Sequence, residues 1–307
     1  MNQTKKKQAK IYLNAFLFML PALFLFCAVL IAPIVMSVYY SFFDWNGMGA
    51  KEFVGLSNYI ELFSSKAIGF FKALGNSMVL AGFSVFLQLP LSLFLALMLG
   101  KGIKGERAFL SIFFIPVLIS TVVIGQLFLK IYNPDYGVLN VILRNLHLEE
   151  PIAKLFGNGN IGKTIWLGNK KTALLCCFVP TLWQYVGYHM LLMYAGVKSV
   201  PPELREAAKL DGATDGQVDR FIVIPYMKSI IKVSVIFAVT GSLKSFDLIY
   251  VLTNGGPLHA TEVPSTLMIN MLFLRNRYGM GSAIAVMLIL LCFAFALLIS
   301  WIFKEED

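Results

Sequence analysis

VKSVPPELREAAKLDGATDGQVDRFIVIPYMKSII, residues Val197 to Ile231, is a charged segment set between two long apolar stretches. Its local chemistry is explicit. Pro201 and Pro202 suit the first turn of a helix, where a missing N–H costs nothing, and Glu203 and Glu206 stand near that helix's positive end. Gly212 can close the helix in the left-handed region. Thr214 followed by Gln217 has capping-box spacing, so a second helix starts at Thr214 or Asp215 and runs until Pro225 perturbs it. The segment reads as a helix–turn–helix hairpin over 198–229.

The rest of the chain says what the hairpin is attached to. Of 307 residues 58% are hydrophobic and only 14% charged, and the mean hydropathy is +0.73; a soluble domain carries about 25% charged residues. Five stretches lack Asp, Glu, Lys and Arg for at least the ~20 residues that cross a hydrocarbon core: 11–43, 73–100, 108–129, 172–197 and 278–303. A sixth, about 230–252, is interrupted by Lys232, Lys244 and Asp247. The expected fold is an all-α membrane protein of six transmembrane helices, one permease-like domain over 1–307. The first stretch is too long for a signal-peptide core and no small-residue cleavage site follows, so it reads as an uncleaved helix kinked near Pro21 and Pro33. Lys5, Lys6, Lys7 and Lys10 precede it, which places the N-terminus, the hairpin and the C-terminus in the cytoplasm.

Several function classes fall away. The net charge of +9 is scattered through loops without the clustered stripe that nucleic acid requires, and positive-inside bias accounts for it. Cys27, Cys176, Cys177 and Cys292 lie in apolar spans without ligand spacing, so neither a disulfide framework nor a metal site follows. GNGNIGKT, 157–164, fits a phosphate-binding loop. It sits in a loop of roughly 40 residues between two spans, without the strand and nucleotide-binding domain that such a loop needs. Turn chemistry explains it better.

Polar groups at membrane depth usually face a bundle interior or a cavity. WQYVGYH places Trp183, Tyr185, Tyr188 and His189 within two turns of the fourth span, with His189 near mid-membrane. Aromatic faces matched to sugar C–H groups, with hydroxyl, imidazole and amide groups for the sugar hydroxyls, suit a saccharide path; packing between helices is the alternative. For Lys244 and Asp247 two readings also stand. One is mutual neutralisation as an (i, i+3) pair or outward snorkelling, the other is contact with a substrate.

EAAKLDGATDGQVDRFIVIP, with Glu206, Ala207, Ala208, Gly212 and Pro225, resembles the EAA motif of binding-protein-dependent ABC importer permeases. FVGLSNYIELF at 53–63, NPDYGVLN at 133–140, SFDLIYVLTNGGP at 245–257 and GMGSAIAV at 279–286 resemble the sugar-type subfamily that includes maltose and glycerol-phosphate permeases. The resemblance covers nearly the whole chain, and the EAA element together with TNGGP is specific.

The resemblance implies a type I importer fold in which Glu206, Ala207, Ala208, Asp211, Gly212 and Pro225 form the coupling element on a cytoplasmic ATPase. It implies a substrate path from the fourth to sixth spans, drawing on Trp183, Tyr185, Tyr188, His189, Lys244, Ser245, Asp247, Tyr250 and Asn270, with Phe273 as an addition. It also implies the partners: a second homologous permease, two ATPase subunits and an extracytoplasmic sugar-binding protein, around a multi-pass chain in the cytoplasmic membrane. Outer loops near Tyr136 and 255–257 are expected contacts of the binding protein. ATP and Mg would sit on the ATPase partner, so the chain itself would need no cofactor, bind no nucleic acid and catalyse nothing. An ion-coupled secondary transporter, or a membrane enzyme using His189, Lys244 and Asp247, are the rival readings. The first lacks visible internal symmetry, the second a recognisable nucleophile–base set.

Overall fold

The computed structural model describes residues 2–156 and 164–304; GNGNIGK, 157–163, lies outside them. Helices dominate, and the only strands among the described residues are β1 (Phe43–Asp44) and β2 (Glu52–Phe53), paired antiparallel with Phe43 opposite Phe53.

The chain divides into two compact units, 1–65 with 268–287, and 66–267 with 288–307. In the first, α1 (Asn2–Phe26) passes through a π turn at Cys27–Ile31 into α2 (Ala32–Tyr40). The short strands and α3 (Ser57–Ser64) follow. Asn58 fixes this arrangement, donating through Nδ2 to the carbonyls of Ser41 and Phe43 at 2.9 Å each. A bidentate pair from Arg277 to Glu61, at 2.8 and 2.6 Å, ties in the later segment.

In the second unit α4 (Phe70–Phe83) continues through a π turn at Ser84–Gln88 into α5 (Leu89–Gly100). The pair α6 (Glu106–Leu118) and α7 (Thr121–Ile131) is bent by 93° at a two-residue break. After it, α8 (Val138–Asn145) and α9 (Glu149–Leu155) order the loop that leads to α10. Asn140 is its buried anchor, donating to the carbonyls of Pro134 and Thr164 and accepting from the Trp166 indole.

Next come α10 (Ala173–Ser199), α11 (Pro202–Leu210), α12 (Asp215–Val218), a π turn at Asp219–Val223, α13 (Ile224–Tyr226), α14 (Lys228–Leu243) and α15 (Asp247–Leu252). The remaining helices are α16 (Pro264–Ile269), ending in a π turn at Asn270–Leu274, and α17 (Tyr278–Ile302), which ends in the second unit.

Among the described residues four helical stretches are long and apolar enough to cross a membrane: Asn14–Tyr40, Phe70–Gly100, Lys228–Leu252 and Tyr278–Ile302, with the bent pair as a fifth. The expected fourth span, α10, is a continuous helix of 27 residues, about 40 Å at 1.5 Å per residue. It is not among those apolar enough by composition. Its polar middle is buried against α5 and α6, where Gln184 and His189 are sheltered by protein rather than facing outward.

The expected kink near Pro21 and Pro33 takes another form. Pro21 stays inside α1, and the distortion is the π turn just before Pro33. A proline removes one N–H and its ring clashes with the carbonyl four residues earlier, and adding a residue to that turn relieves the clash. The π turns at 84–88 and 219–223 precede Pro90 and Pro225 by the same two residues.

Small residues set the closest helix approaches. Ser92 Oγ donates to the Val186 carbonyl at 2.9 Å, joining α5 to α10. A Cβ on Gly187 would run into the backbone carbonyl of Phe113 on α6, and backbone cannot rotate away as a side chain can. Gly187→Ala should therefore cost about 1–3 kcal/mol through overpacking, seen as a lowered thermal midpoint in detergent. Gly216→Ala, with no heavy atom within 4 Å of its added Cβ, should leave the midpoint in place. Equal midpoints for the two variants would refute the close-approach account.

Candidate functional site

Two features of the second unit combine charge, shape and exposure: a cavity among α4, α6, α7, α10, α14 and α15, and the hairpin that follows α10.

The cavity has a volume of about 460 Å³ and a mixed lining. Tyr185, Tyr188 and His189 face it from α10, Phe237 from α14 and Phe246 from the break before α15. Gln88 from the π turn and Gln184 from α10 add amides, and Lys244, Ser245 and Asp247 add charge and a hydroxyl. Tyr188 meets the His189 ring edge-on, with centroids 5.3 Å apart. His189 is 5% exposed and its Nδ1 has no hydrogen-bond partner among the described residues, as is true of Gln184 Oε1. Polar atoms buried without a partner usually have an unseen one, a water or a ligand.

The sequence-derived path is brought together in part. Tyr185, Tyr188, His189, Lys244, Ser245 and Asp247 share the cavity wall. Trp183 turns away and packs against Phe128 of α7 at 6.1 Å. Tyr250 stacks on Phe246 at 5.0 Å but does not line the cavity itself. Asn270 and Phe273 belong to the first compact unit. Gln88 and Gln184 escaped the sequence reading. An uncharged amide in an apolar span is as informative as a charge, because it too needs a partner there.

The (i, i+3) ion pair between Lys244 and Asp247 does not form. That expectation assumed one continuous helix, but Lys244 caps α14, Asp247 opens α15, and Phe246 between them is non-helical with φ −139°. Neither side chain makes an ion pair among the described residues. Both line the cavity.

At the hairpin the local chemistry folds as the sequence dictates. Pro202 opens α11, and Gly212 turns the chain at φ +85°. Thr214 and Gln217 form the reciprocal capping box of α12. Positions 201, 205 and 208 lean inward while Glu203, Glu206, Ala207 and Leu210 point out, the stripe that a 3.6-residue period produces. The two alanines therefore divide. Ala208 packs with Ala213 against the buried Val218, Val223 and Met227, and Ala207 stays on the surface. The outer face also carries Leu210, 89% exposed, and Phe221, 68% exposed. Neither stood out in the sequence.

Several contacts hold the hairpin to the helices above it. Arg205 donates to the Val197 carbonyl at the end of α10. Lys101, at the end of α5, pairs with Asp219 at 3.0 Å. Glu106, the first residue of α6, accepts from the Tyr194 hydroxyl and pairs with Lys198 at 3.3 Å. Lys209 holds the Asp215 carboxyl below the usual aspartate range across 2.9 Å.

Comparison with known proteins gives a consistent picture. Residues 88–305 match the sequence profile of the binding-protein-dependent transport system inner membrane component. Over 294 residues the chain is 36% identical to the probable ABC transporter permease protein YurN of Bacillus subtilis, covering 94% of this chain and 95% of that protein. The trehalose/maltose transport system permease protein MalF of Thermococcus litoralis is 30% identical, covering 96% of this chain and 94% of its own length. Among solved structures, the bacterial alginate ABC transporter in complex with an alginate pentasaccharide-bound periplasmic protein has a chain that superposes with TM-score 0.80 at 22% identity. The coverage is 96% of this chain and 95% of that one, a likeness of fold.

Because the hairpin depends on its cap, Thr214→Ala should destabilise it by about 1 kcal/mol. Hydrogen exchange across 214–218 should speed up several-fold while exchange within α10 and α14 stays unchanged. Unaltered exchange at 214–218 would show that the capping box does not hold the turn.

Proposed function

The chain belongs to the family of binding-protein-dependent transport system inner membrane components, and we propose that it lines the translocation path for a saccharide and couples that path to an ATPase through the 198–229 hairpin. It is the non-catalytic, membrane-spanning subunit of an ABC importer, multi-pass and helical. Family membership sets aside the ion-coupled and enzymatic alternatives.

The observation that carries the coupling role is the hairpin: a rigid, capped turn clamped to the ends of α5, α6 and α10 that leaves Glu206, Ala207, Leu210 and Asp211 outward. A segment tied at both ends moves as a body, so a push on its outer face is delivered to the helices lining the cavity. In this reading Glu206, Ala207, Ala208, Asp211, Gly212 and Pro225 form the coupling element. Ala208 and Pro225 act by shaping it, and the others by contact. Its cytoplasmic side follows from the N-terminal lysines.

Partners follow the same reading. A second permease completes the path, two ATPase subunits supply ATP and Mg chemistry, and an extracytoplasmic binding protein delivers the solute. Trehalose/maltose transport by one relative and alginate transport by a structural neighbour support a saccharide class. The cavity agrees with it, offering aromatic faces beside amide, hydroxyl and charged groups and a volume of about 460 Å³.

Affinity purification of the tagged chain from its native membrane is the direct test. Recovery of a second permease and a vanadate-sensitive ATPase is expected, whereas a lone chain would overturn the assembly. Within that complex Gly212→Asp should abolish ATP-driven uptake while the protein still inserts. The added Cβ meets nothing, but the turn is strained at φ +85° and gains a carboxylate beside Asp211. Normal uptake by a well-expressed variant would remove the coupling role from the hairpin.

A further inference from the structure

The break between α6 and α7 bends the chain by 93° at Ile119 and Ser120, both in extended conformation. A bend of this kind frees backbone groups that a continuous helix would pair internally. Inside a bilayer each must find another partner. The Ile119 carbonyl finds it on a different helix. Gln184 of α10 donates through Nε2 to that carbonyl and to the Thr121 hydroxyl, each at 3.2 Å.

The orientation of the amide is fixed by chemistry. A carbonyl only accepts, so the NH₂ must face Ile119 and Oε1 must point elsewhere. Gln184 is 2% exposed, lines the cavity, and its Oε1 has no partner among the described residues. One end of the amide holds a backbone break, and the other is a buried acceptor at a cavity wall.

We propose that Gln184 is a positioning residue joining cargo to the bent span, with Nε2 bracing the Ile119–Ser120 break and Oε1 accepting a hydrogen bond from a hydroxyl of the transported solute. The inference rests on the translocation reading above and adds the class of contact, an O–H or N–H donor on the cargo. Occupation of Oε1 polarises the amide and strengthens the two bonds that Nε2 donates. The bend is therefore held most firmly when the cavity is loaded.

The test uses the intact importer in proteoliposomes, with its binding protein and ¹⁴C-labelled maltose, trehalose, xylose and diacetylchitobiose as probes. For a sugar that the wild type transports, monodeoxyfluoro analogues replace one donor hydroxyl at a time. One analogue should move about tenfold more slowly than its parent, the worth of one hydrogen bond. In Gln184→Leu that penalty should vanish, and in Gln184→Glu, which keeps an acceptor oxygen, it should remain. A merely structural Gln184 would slow parent and analogue alike and keep the ratio in every variant, and that result would overturn the proposal. Gln184→Met, also lacking the acceptor, serves if the leucine variant does not assemble.

Hydrogen exchange at 119–122 in the detergent-solubilised complex needs no sugar and probes the brace separately. Exchange should be about tenfold faster in Gln184→Leu than in the wild type, and equal exchange would refute the brace. A wild-type importer that moves none of the probes would count against the saccharide reading instead.

Discussion

A polypeptide inside a bilayer has no water to satisfy its backbone, so every N–H and C=O freed by a departure from helix must be met by the protein. That constraint governs where this chain is straight and where it bends. At three prolines the helix absorbs the defect as a π turn, at 27–31 before Pro33, at 84–88 before Pro90 and at 219–223 before Pro225, while Pro21, Pro116 and Pro180 stay within α-helix. Where the chain departs from helix altogether, at 119–120 and at 244–246, a side chain enters the accounting at the first break and a backbone carbonyl serves at the second. Gln184 meets the Ile119 carbonyl, and the Lys244 N–H still reaches back to Thr240 at 3.1 Å. Both breaks adjoin the cavity. Irregular backbone at membrane depth is tolerated beside a cavity or within protein, so the bends and the cavity are one feature.

The hairpin end is built differently. There water is available, and charge does the holding: Lys101 to Asp219, Lys198 to Glu106 and Lys209 to Asp215. Surface pairs of this kind contribute little stability one by one, but the first ties the hairpin to the end of α5, the second ties Lys198 at its start to α6, and the third closes the turn within it. The apolar part of the hairpin, Val218, Val223 and Met227, packs into the same core as Leu99, Met193 and Val197. Packing sets the position of the hairpin and the ion pairs set its orientation.

How much was legible in sequence depended on whether a signal was local. The hairpin was read almost residue by residue, since its caps, its left-handed glycine and its proline act within a few residues of themselves. The apolar runs located the long helices, because length and the absence of charge suffice for that. Three features were not legible. The separation of Lys244 from Asp247 depends on a helix break without a proline or glycine at 244–246 to announce it. The departure of Trp183 and Tyr250 from the cavity depends on helix rotation, which α7 and Phe246 set. Gln184 was hidden because its partner, Ile119, lies 65 residues away and contributes only a carbonyl.

Outside the hairpin, each stretch that carries the family resemblance holds a clamp, and only the start of SFDLIYVLTNGGP, with Ser245 and Asp247, also lines the cavity. Asn58 in FVGLSNYIELF ties three segments together through two carbonyls. Asn140 in NPDYGVLN closes the loop between α7 and α10. In the TNGGP region Thr253 and Thr261 share a hydrogen bond at 2.7 Å, and Thr261 reaches the Gly256 carbonyl. In GMGSAIAV a Cβ on Gly279 would strike the Phe43 carbonyl. None of these residues lines the cavity. A framework can therefore be shared while cargo differs, because shape is held by one set of side chains and the solute is met by another. The cavity set here is Tyr185, Tyr188, His189, Gln184, Lys244 and Asp247. With one cation, one anion and several neutral hydrogen-bonding groups, it favours solutes by the placement of their hydroxyls rather than by net charge. Weak, distributed contacts of that kind are also what a translocation path needs, since a solute held tightly at mid-membrane would not leave.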